Sequence, residues 1–521
     1  MTNTIIYQEN YTTKQLILPM DLGIIIPEDS EVHSYLELMK GIRLEKYFDN
    51  RKQRIGRNKK NRVQILHAIL FGQMVNVRST REIAKACRND IRFIYLTGGM
   101  NPPSHTLINE VINELNLSLE SLMVEINQEI MKREEIEIEK LYVDGTKIEA
   151  DANKYTFVWT KQVIKSREKL YIKISKAIAK WNEIFKENGY KETKQKTTYK
   201  SRYLEKTRNR MIGIVDKLGI VFSYGKGKRK TEFQRVYEQI TEYRDKLAEY
   251  EEKLNIAGER NSYSKTDHDA TFMHMKEDHM KNAQLKPGYN VQIGVSNEYI
   301  MMVDAYQNRS DQKTFEPFME KYNLAYERYP KYPVADAGYG SYENYRYCQS
   351  KGMGLYQKYN SWAKEKEKKY KTNSYRFDNF KINDEGTRIC PKGRKYPEIG
   401  RYISSNSKYK KTIIVYECES CEGCSLKKQC TKAQENRQSK IIEGWDTLRE
   451  EVRNNLDSSL GIELRIQRSI QVEGAFGVIK EDMKFRRFTR TTMIGIKKEI
   501  YLIVIGYNLK KYHNKKYRLI S

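Results

Sequence analysis

Three short segments, far apart in the chain, each offer one carboxylate in a setting suited to a metal ion. They are Val143-Asp144-Gly145-Thr146, Ala335-Asp336-Ala337-Gly338-Tyr339 and Val472-Glu473-Gly474-Ala475-Phe476-Gly477-Val478-Ile479-Lys480. The two aspartates follow apolar, strand-like runs, Leu141 to Val143 and Pro333 to Ala335, and glycine or other small residues follow each at once. That pattern predicts acidic side chains at strand ends, beside sharp turns and facing an open site. Glu473 lies in a helix-like stretch, and Lys480, seven residues on, falls about two turns away on the same face. Two carboxylates from a sheet and one from a neighbouring helix are a donor set that a pair of hard divalent cations uses in phosphoryl transfer. The bland reading stands beside it: with 68 Asp and Glu in 521 residues, a single strand-end aspartate is more often a turn former or helix cap.

In order and surroundings the three segments resemble the signature of bacterial insertion-sequence transposases of the DDE class, and the resemblance spans nearly the whole chain. It implies a ribonuclease H-like catalytic domain and magnesium or manganese held by Asp144, Asp336 and Glu473, with Asp144 shared between two ions. Lys480 is implied to contact a phosphate beside the site. The implied reaction is hydrolysis of a phosphodiester at the element's end, then attack of the exposed 3′ hydroxyl on target DNA. The implied partners are double-stranded DNA, as terminal inverted repeats and as target, and a second copy of the chain in the active complex. One departure concerns an arginine that many relatives carry with three residues between it and the glutamate. Ser469 stands there, Arg468 is one residue early and Arg465 lies near. Two alternatives are a metal-dependent nuclease without strand transfer and a non-catalytic DNA-binding protein derived from a transposase.

Other acids compete for these roles. Asp304 also ends a strand-like run, but Asp336 is preferred because Asp-Ala-Gly-Tyr resembles the family's second motif. Asp267 and Asp269, beside His268 and His274, read as a local capping and loop cluster.

The formal charge is +27, with Lys and Arg spread along the chain rather than gathered in one tail. Such a surface attracts polyanions, of which nucleic acid is the usual one for a protein of this size. The longest apolar run, Ile500 to Gly506, is far short of the roughly 20 residues that span a bilayer. No segment has the pattern of a secretory signal. A cytoplasmic location is expected, where seven cysteines argue against a disulfide framework and, where clustered, toward metal.

These carboxylates need a scaffold, and the sequence predicts a mixed α/β one. Residues 1–133 read as a helical N-terminal DNA-binding domain, with Ser79-Thr80-Arg81-Glu82 opening one helix as a capping box and turns at Thr97-Gly98-Gly99 and Asn101-Pro102-Pro103. The ribonuclease H-like domain is expected from 134–157, 262–360 and 446–521, a mixed sheet with flanking helices. Its first strand is read as Ile136 to Asp144, a strand pair is read around Ser296-Asn297-Glu298, and its last helix, Ile494 to Leu509, is expected to pack on the sheet.

Residues 158–261 read as a coiled-coil insertion. Phe233, Val236, Ile240, Tyr243, Leu247, Tyr250 and Leu254 step by three and four, as do Tyr171, Ile174, Ile178, Trp181 and Phe185. The basic stretch Lys191 to Lys230 is read as the connection between two such helices. Residues 361–445 form a cysteine-rich insertion. Its Cys390, Cys418, Cys421, Cys424 and Cys430 offer enough thiolates for a tetrahedral zinc site, with one to spare and ordinary reduced thiols as the alternative. Cys87 and Cys348 fall in helical patterns and read as small apolar fillers.

Overall fold

The computed structural model describes residues 25–48, 61–99, 101–115, 118–225, 227–275 and 284–518. The remainder of the expected N-terminal domain, including 1–24 and 49–60, lies outside the described residues. Contacts divide the chain into two units, one up to Ile136 together with the residues from Tyr501 on, the other Glu137–Ile500.

The first unit is helical: α1 (Glu31–Met39), α2 (Arg62–Met74), α3 (Thr80–Asn89), α4 (Ile91–Leu96), α5 (His105–Leu115) and α6 (Ser118–Glu134). At α3 the capping box forms in both directions, with Glu82 N donating to Ser79 Oγ at 3.1 Å and Ser79 N to Glu82 Oε2 at 3.2 Å. Phe71 and Phe93 meet edge-to-face at 5.1 Å inside the core.

The second unit begins with β1 (Lys140–Glu149), after which the first insertion opens: β2 (Phe157–Trp159), α7 (Thr160–Glu187), α8 (Ser201–Leu218), α9 (Glu232–Ala257) and β3 (Ser262–Ser264). Strand β3 closes it by pairing antiparallel with β2. The chain resumes with β4 (Thr271–His274), β5 (Leu285–Ser296), β6 (Tyr299–Tyr306), α10 (Phe315–Tyr326), β7 (Tyr332–Ala335), α11 (Tyr342–Ser350) and β8 (Tyr356–Gln357). Short strands β9 (Lys381–Ile382), β10 (Arg388–Ile389), β11 (Lys395–Tyr396), β12 (Glu398–Ile403), β13 (Thr412–Glu417) and β14 (Gln438–Ile442) make up the second insertion. Helices α12 (Trp445–Asp457), α13 (Ser459–Gly477) and α14 (Thr492–Arg518) follow.

The main sheet is mixed, in the order β4-β5-β1-β7-β8, with β6 also on β5. Strands β1, β7 and β8 run parallel, while β5 is antiparallel to β1, β4 and β6. The expected pair around Ser296-Asn297-Glu298 is present as β5 and β6. Positive φ at both Asn297 (47°) and Glu298 (70°) gives the tight turn whose twist suits a hairpin.

Four local readings are corrected. Strand β1 does not end in a turn at Asp144 but runs on to Glu149. Gly145 is there for close approach, since a Cβ on it would lie 2.0 Å from Gln292 Nε2. Lys191 to Lys230 is not only a connection: α8 forms inside it and buries Leu204, Thr207, Met211 and Ile214 on one face. With α7 and α9 it closes a core around Trp181, Ile178 and Ile240. The single helical face from Glu473 to Lys480 is broken by a π-helical turn at Val478–Asp482, which changes the angular offset between them. Finally, α14 belongs to the second unit only to Ile500, and from Tyr501 on it counts with the first. There Gly506 passes so near Gln73 that an added Cβ would sit 2.6 Å from its backbone, and Asn508 bonds Asn127 at 2.7 Å.

Cys87 and Cys348 are buried in α3 and α11, and burial pushes the Cys87 thiol up to about 11. No helix among the described residues is long and apolar enough to cross a membrane.

Candidate active site

The parallel register of β1 and β7 sets Val143 opposite Ala335, so Asp144 and Asp336, each one residue further, take neighbouring positions. Asp336 does leave its strand into a turn, and Gly338 N donates to its Oδ1 at 2.8 Å. Asp144 sits within β1, where Oδ1 accepts from Gly145 N at 2.8 Å and Oδ2 from Arg468 Nη2 at 2.6 Å. That ion pair is largely shielded, with side chains 11% and 18% exposed, so solvent screens it weakly. Arg468 also keeps a buried Nε without an acceptor among the described residues.

A polar network backs this pair. Asn290 and Gln292 sit at alternate positions of β5, on one face of a largely apolar strand, and both are fully buried. Asp311 gathers them: its Oδ1 accepts from Asn290 Nδ2 at 2.6 Å and from Gln292 Nε2 at 3.1 Å. Its Oδ2 lies 3.6 Å from Lys147 Nζ. Tyr339, from the second acidic segment, is fully buried and donates its phenol proton to Gln292 Oε1. Burial first, then the charges of Asp144, Asp311 and Asp336, holds that phenol well above its usual range. The three carboxylates therefore converge electrostatically on one tyrosine. Lys358 N donates to Ala335 O at 3.3 Å, and its ammonium pKa is lowered by burial and then by Arg468 and Arg465, with Asp336 pulling it back up.

Glu473 lies on α13, five residues after Arg468, which is about 140° further round a helix. It is exposed, and its Oε1 accepts from Ser469 Oγ at 2.8 Å. The arrangement thus brings Asp144 and Asp336 together and adds Arg468, but does not join Glu473 to them. Lys480, in the π-helical turn, lies 5.7 Å from the Phe476 ring centre. No group of three or more His, Cys, Asp or Glu among the described residues is already arranged to hold a metal ion.

The competing acids have other work. Asp304 is buried and paired with Lys321 at 3.2 Å and Lys497 at 2.9 Å. Asp267 accepts from Tyr289 Oη at 2.7 Å, and Asp269 Oδ2 accepts from Met493 N at 2.8 Å at the start of α14. Sequence reading passed over Asp311, Lys358, Asn290 and Gln292 as site residues. A signal existed for the last two: amide side chains two apart in an apolar strand imply a buried polar partner.

The five clustered cysteines, Cys390, Cys418, Cys421, Cys424 and Cys430, line one small pocket with Arg394, Arg437, Lys392 and Lys427. Burial foremost pushes the Cys418 thiol up to about 12.

Residues 389–513 match the family described as Transposase DDE domain, and residues 21–114 match the Transposase domain (DUF772). The first stretch takes in Glu473, Lys480 and the five clustered cysteines, while Asp144 and Asp336 precede it. No curated protein and no solved structure matches the chain.

Proposed function

We propose that this chain, an insertion-sequence DDE transposase as its two family matches indicate, cuts and joins DNA at the ends of a mobile element by two-metal phosphoryl transfer. The observation that carries this reading is the β1–β7 register that makes Asp144 and Asp336 neighbours. The sheet supports it further: three antiparallel strands, β6, β5 and β1, continued by parallel β7 and β8, follow the order of a ribonuclease H-like core.

Paired, partly buried carboxylates are hard oxygen donors and fit magnesium or manganese. Asp144 would be the shared ligand, Asp336 would serve one ion and Glu473 the other. Bound ions would activate the attacking hydroxyl and stabilise the leaving oxygen. The chain's own residues do the rest. Arg468 keeps Asp144 oriented until substrate arrives, and its unpartnered Nε is a donor for a phosphate oxygen. Turning α13 about its axis would exchange Arg468 for Glu473 beside the aspartates. Lys147, Lys358 and Lys480 supply positive charge for the phosphodiester backbone. The helical first unit is the natural reader of the element's ends, and two copies of the chain would pair them.

The test is incubation with a duplex carrying the native ends and magnesium or manganese. Cleaved ends and joined products are expected. Asp144→Asn, Asp336→Asn and Glu473→Gln should each abolish both while end binding survives. Cutting without joining favours the nuclease reading, and full activity of Glu473→Gln removes that residue from the site.

A further inference from the structure

We propose that Cys390, Cys421, Cys424 and Cys430 bind one structural zinc ion and that Cys418 is the spare thiol. The pocket these side chains line has a volume of about 20 Å³. That is room for about one ion or one water. Hydrogen bonding separates the five sulfurs. Arg437 donates its backbone N–H to Cys421 Sγ at 3.4 Å and its Nη1 to Cys430 Sγ at 3.0 Å. Donors aimed at sulfur favour the thiolate, which is the form that binds zinc. Cys418 plays the opposite part, donating its own proton to Ser420 O at 3.3 Å while packed against Phe377, Phe380 and Tyr396.

Chain geometry delivers the four remaining sulfurs to the pocket. Cys390 opens a tight turn closed by Gly393 N donating to Cys390 O at 2.8 Å, with Gly393 at φ 86°. Cys421 and Cys424 are separated by two residues, and the helical turn Lys427–Cys430 returns the fourth. Four thiolates around Zn²⁺ carry a net charge of −2, their four protons having passed to solvent. Lys392, Arg394, Lys427 and Arg437 line the same pocket and offset that charge. The surrounding module needs such a tie. Strands β9, β10 and β11 have two residues each, β12 is exposed throughout, and the buried cluster beside the pocket, Phe377, Phe380, Tyr396, Cys418 and Cys421, is small. A core that small rarely holds a fold unaided. The sulfurs face the pocket without yet converging on one point, so binding includes their closure around the ion.

Elemental analysis of the full-length protein tests this. About one zinc per chain is expected, unchanged in Asp144→Asn and in Cys418→Ser. Cys390→Ser, Cys421→Ser, Cys424→Ser and Cys430→Ser should each lose it. Zinc lost from Asp144→Asn would place the ion at the aspartates instead, and zinc lost from Cys418→Ser would overturn the ligand assignment. Because a serine variant can misfold, zinc-stripped wild type should also take up Co²⁺ with the thiolate charge-transfer absorption of a four-sulfur tetrahedral site. Wild-type protein that binds neither ion, carries iron, or has these cysteines in disulfides would overturn the proposal.

Discussion

The aspartate pair and the cysteine pocket belong to the same folded unit, yet their donors are held by different means. Asp144 and Asp336 are placed by a strand ladder, and the side chains of Asn290, Gln292, Asp311 and Tyr339 brace the backbone between them. The cysteines are carried by turns and short elements beside a small buried cluster that includes Phe377, Phe380 and Tyr396. A pair of carboxylates built on a ladder is in place without any ion. If the cysteines bind zinc as proposed, the site built on turns would draw part of its stability from the ion, because its small core offsets little of the entropy of ordering the chain.

The largest expected effect tests the first half of this contrast. Asp144→Asn or Asp336→Asn should abolish strand cleavage, a loss of at least about a thousandfold, since a metal ion is worth several kcal/mol at roughly 1.4 kcal/mol per decade. Thermal unfolding should barely move for Asp336→Asn, while Asp144→Asn loses the shielded Arg468 pair and should unfold somewhat lower with the sheet intact. If either variant unfolds the sheet, the carboxylates are part of its framework and the contrast fails.

Chelation tests the second half. Hydrogen exchange after metal removal should show amides of β12 to β14 losing their protection while those of β5 keep it. Apparent zinc energies of about 10–16 kcal/mol in small metal-dependent folds make complete local loss reasonable. Equal loss in both regions would erase the distinction.

A smaller effect sharpens the role of the polar network. Asp311→Ala leaves the buried Asn290 amide without its acceptor, while Gln292 Nε2 keeps Asn290 Oδ1 at 3.0 Å, a cost of about 1–3 kcal/mol, read by urea denaturation. Cleavage should fall about 10–100-fold, as for other groups that orient metal ligands. Unchanged activity would detach the network from the site. Smallest is Gly145→Ala, whose methyl would meet Gln292 Nε2 at 2.0 Å and cost about 1–3 kcal/mol through overpacking. A variant as stable as wild type would show that Gln292 moves freely.

Much of the local structure was legible because its signals are local. The three-and-four steps of Trp181, Phe185, Ile240 and Leu247 appear as buried helix faces, and Ser79 with Glu82 forms its capping box. The run Pro333 to Ala335 ends at Asp336 as the small residues after it suggest. Misreadings arose where one residue type answers to two causes. Gly145 resembles a turn glycine, yet its freedom from a side chain serves a cross-strand neighbour. In α8 the Lys and Arg between Leu204 and Ile214 hid an apolar face of ordinary helical spacing. The π-helical turn before Asp482 left no periodic signal at all.

Periodicity, capping and small-residue patterns act within about a dozen neighbours, so the chain alone dictated its helices, its strand-borne aspartates and the clustering of its cysteines. Which basic group meets Asp144 was decided only on folding. Arg468 is 324 residues away, and the rotation of α13 over the sheet depends on packing that no local pattern encodes. The same holds for Asp311, which becomes a site residue only once β5 brings Asn290 and Gln292 to its carboxylate. Tertiary contact also separates Cys418 from its neighbours, since donor and acceptor sulfurs differ only in which backbone or guanidinium group the fold lays against them.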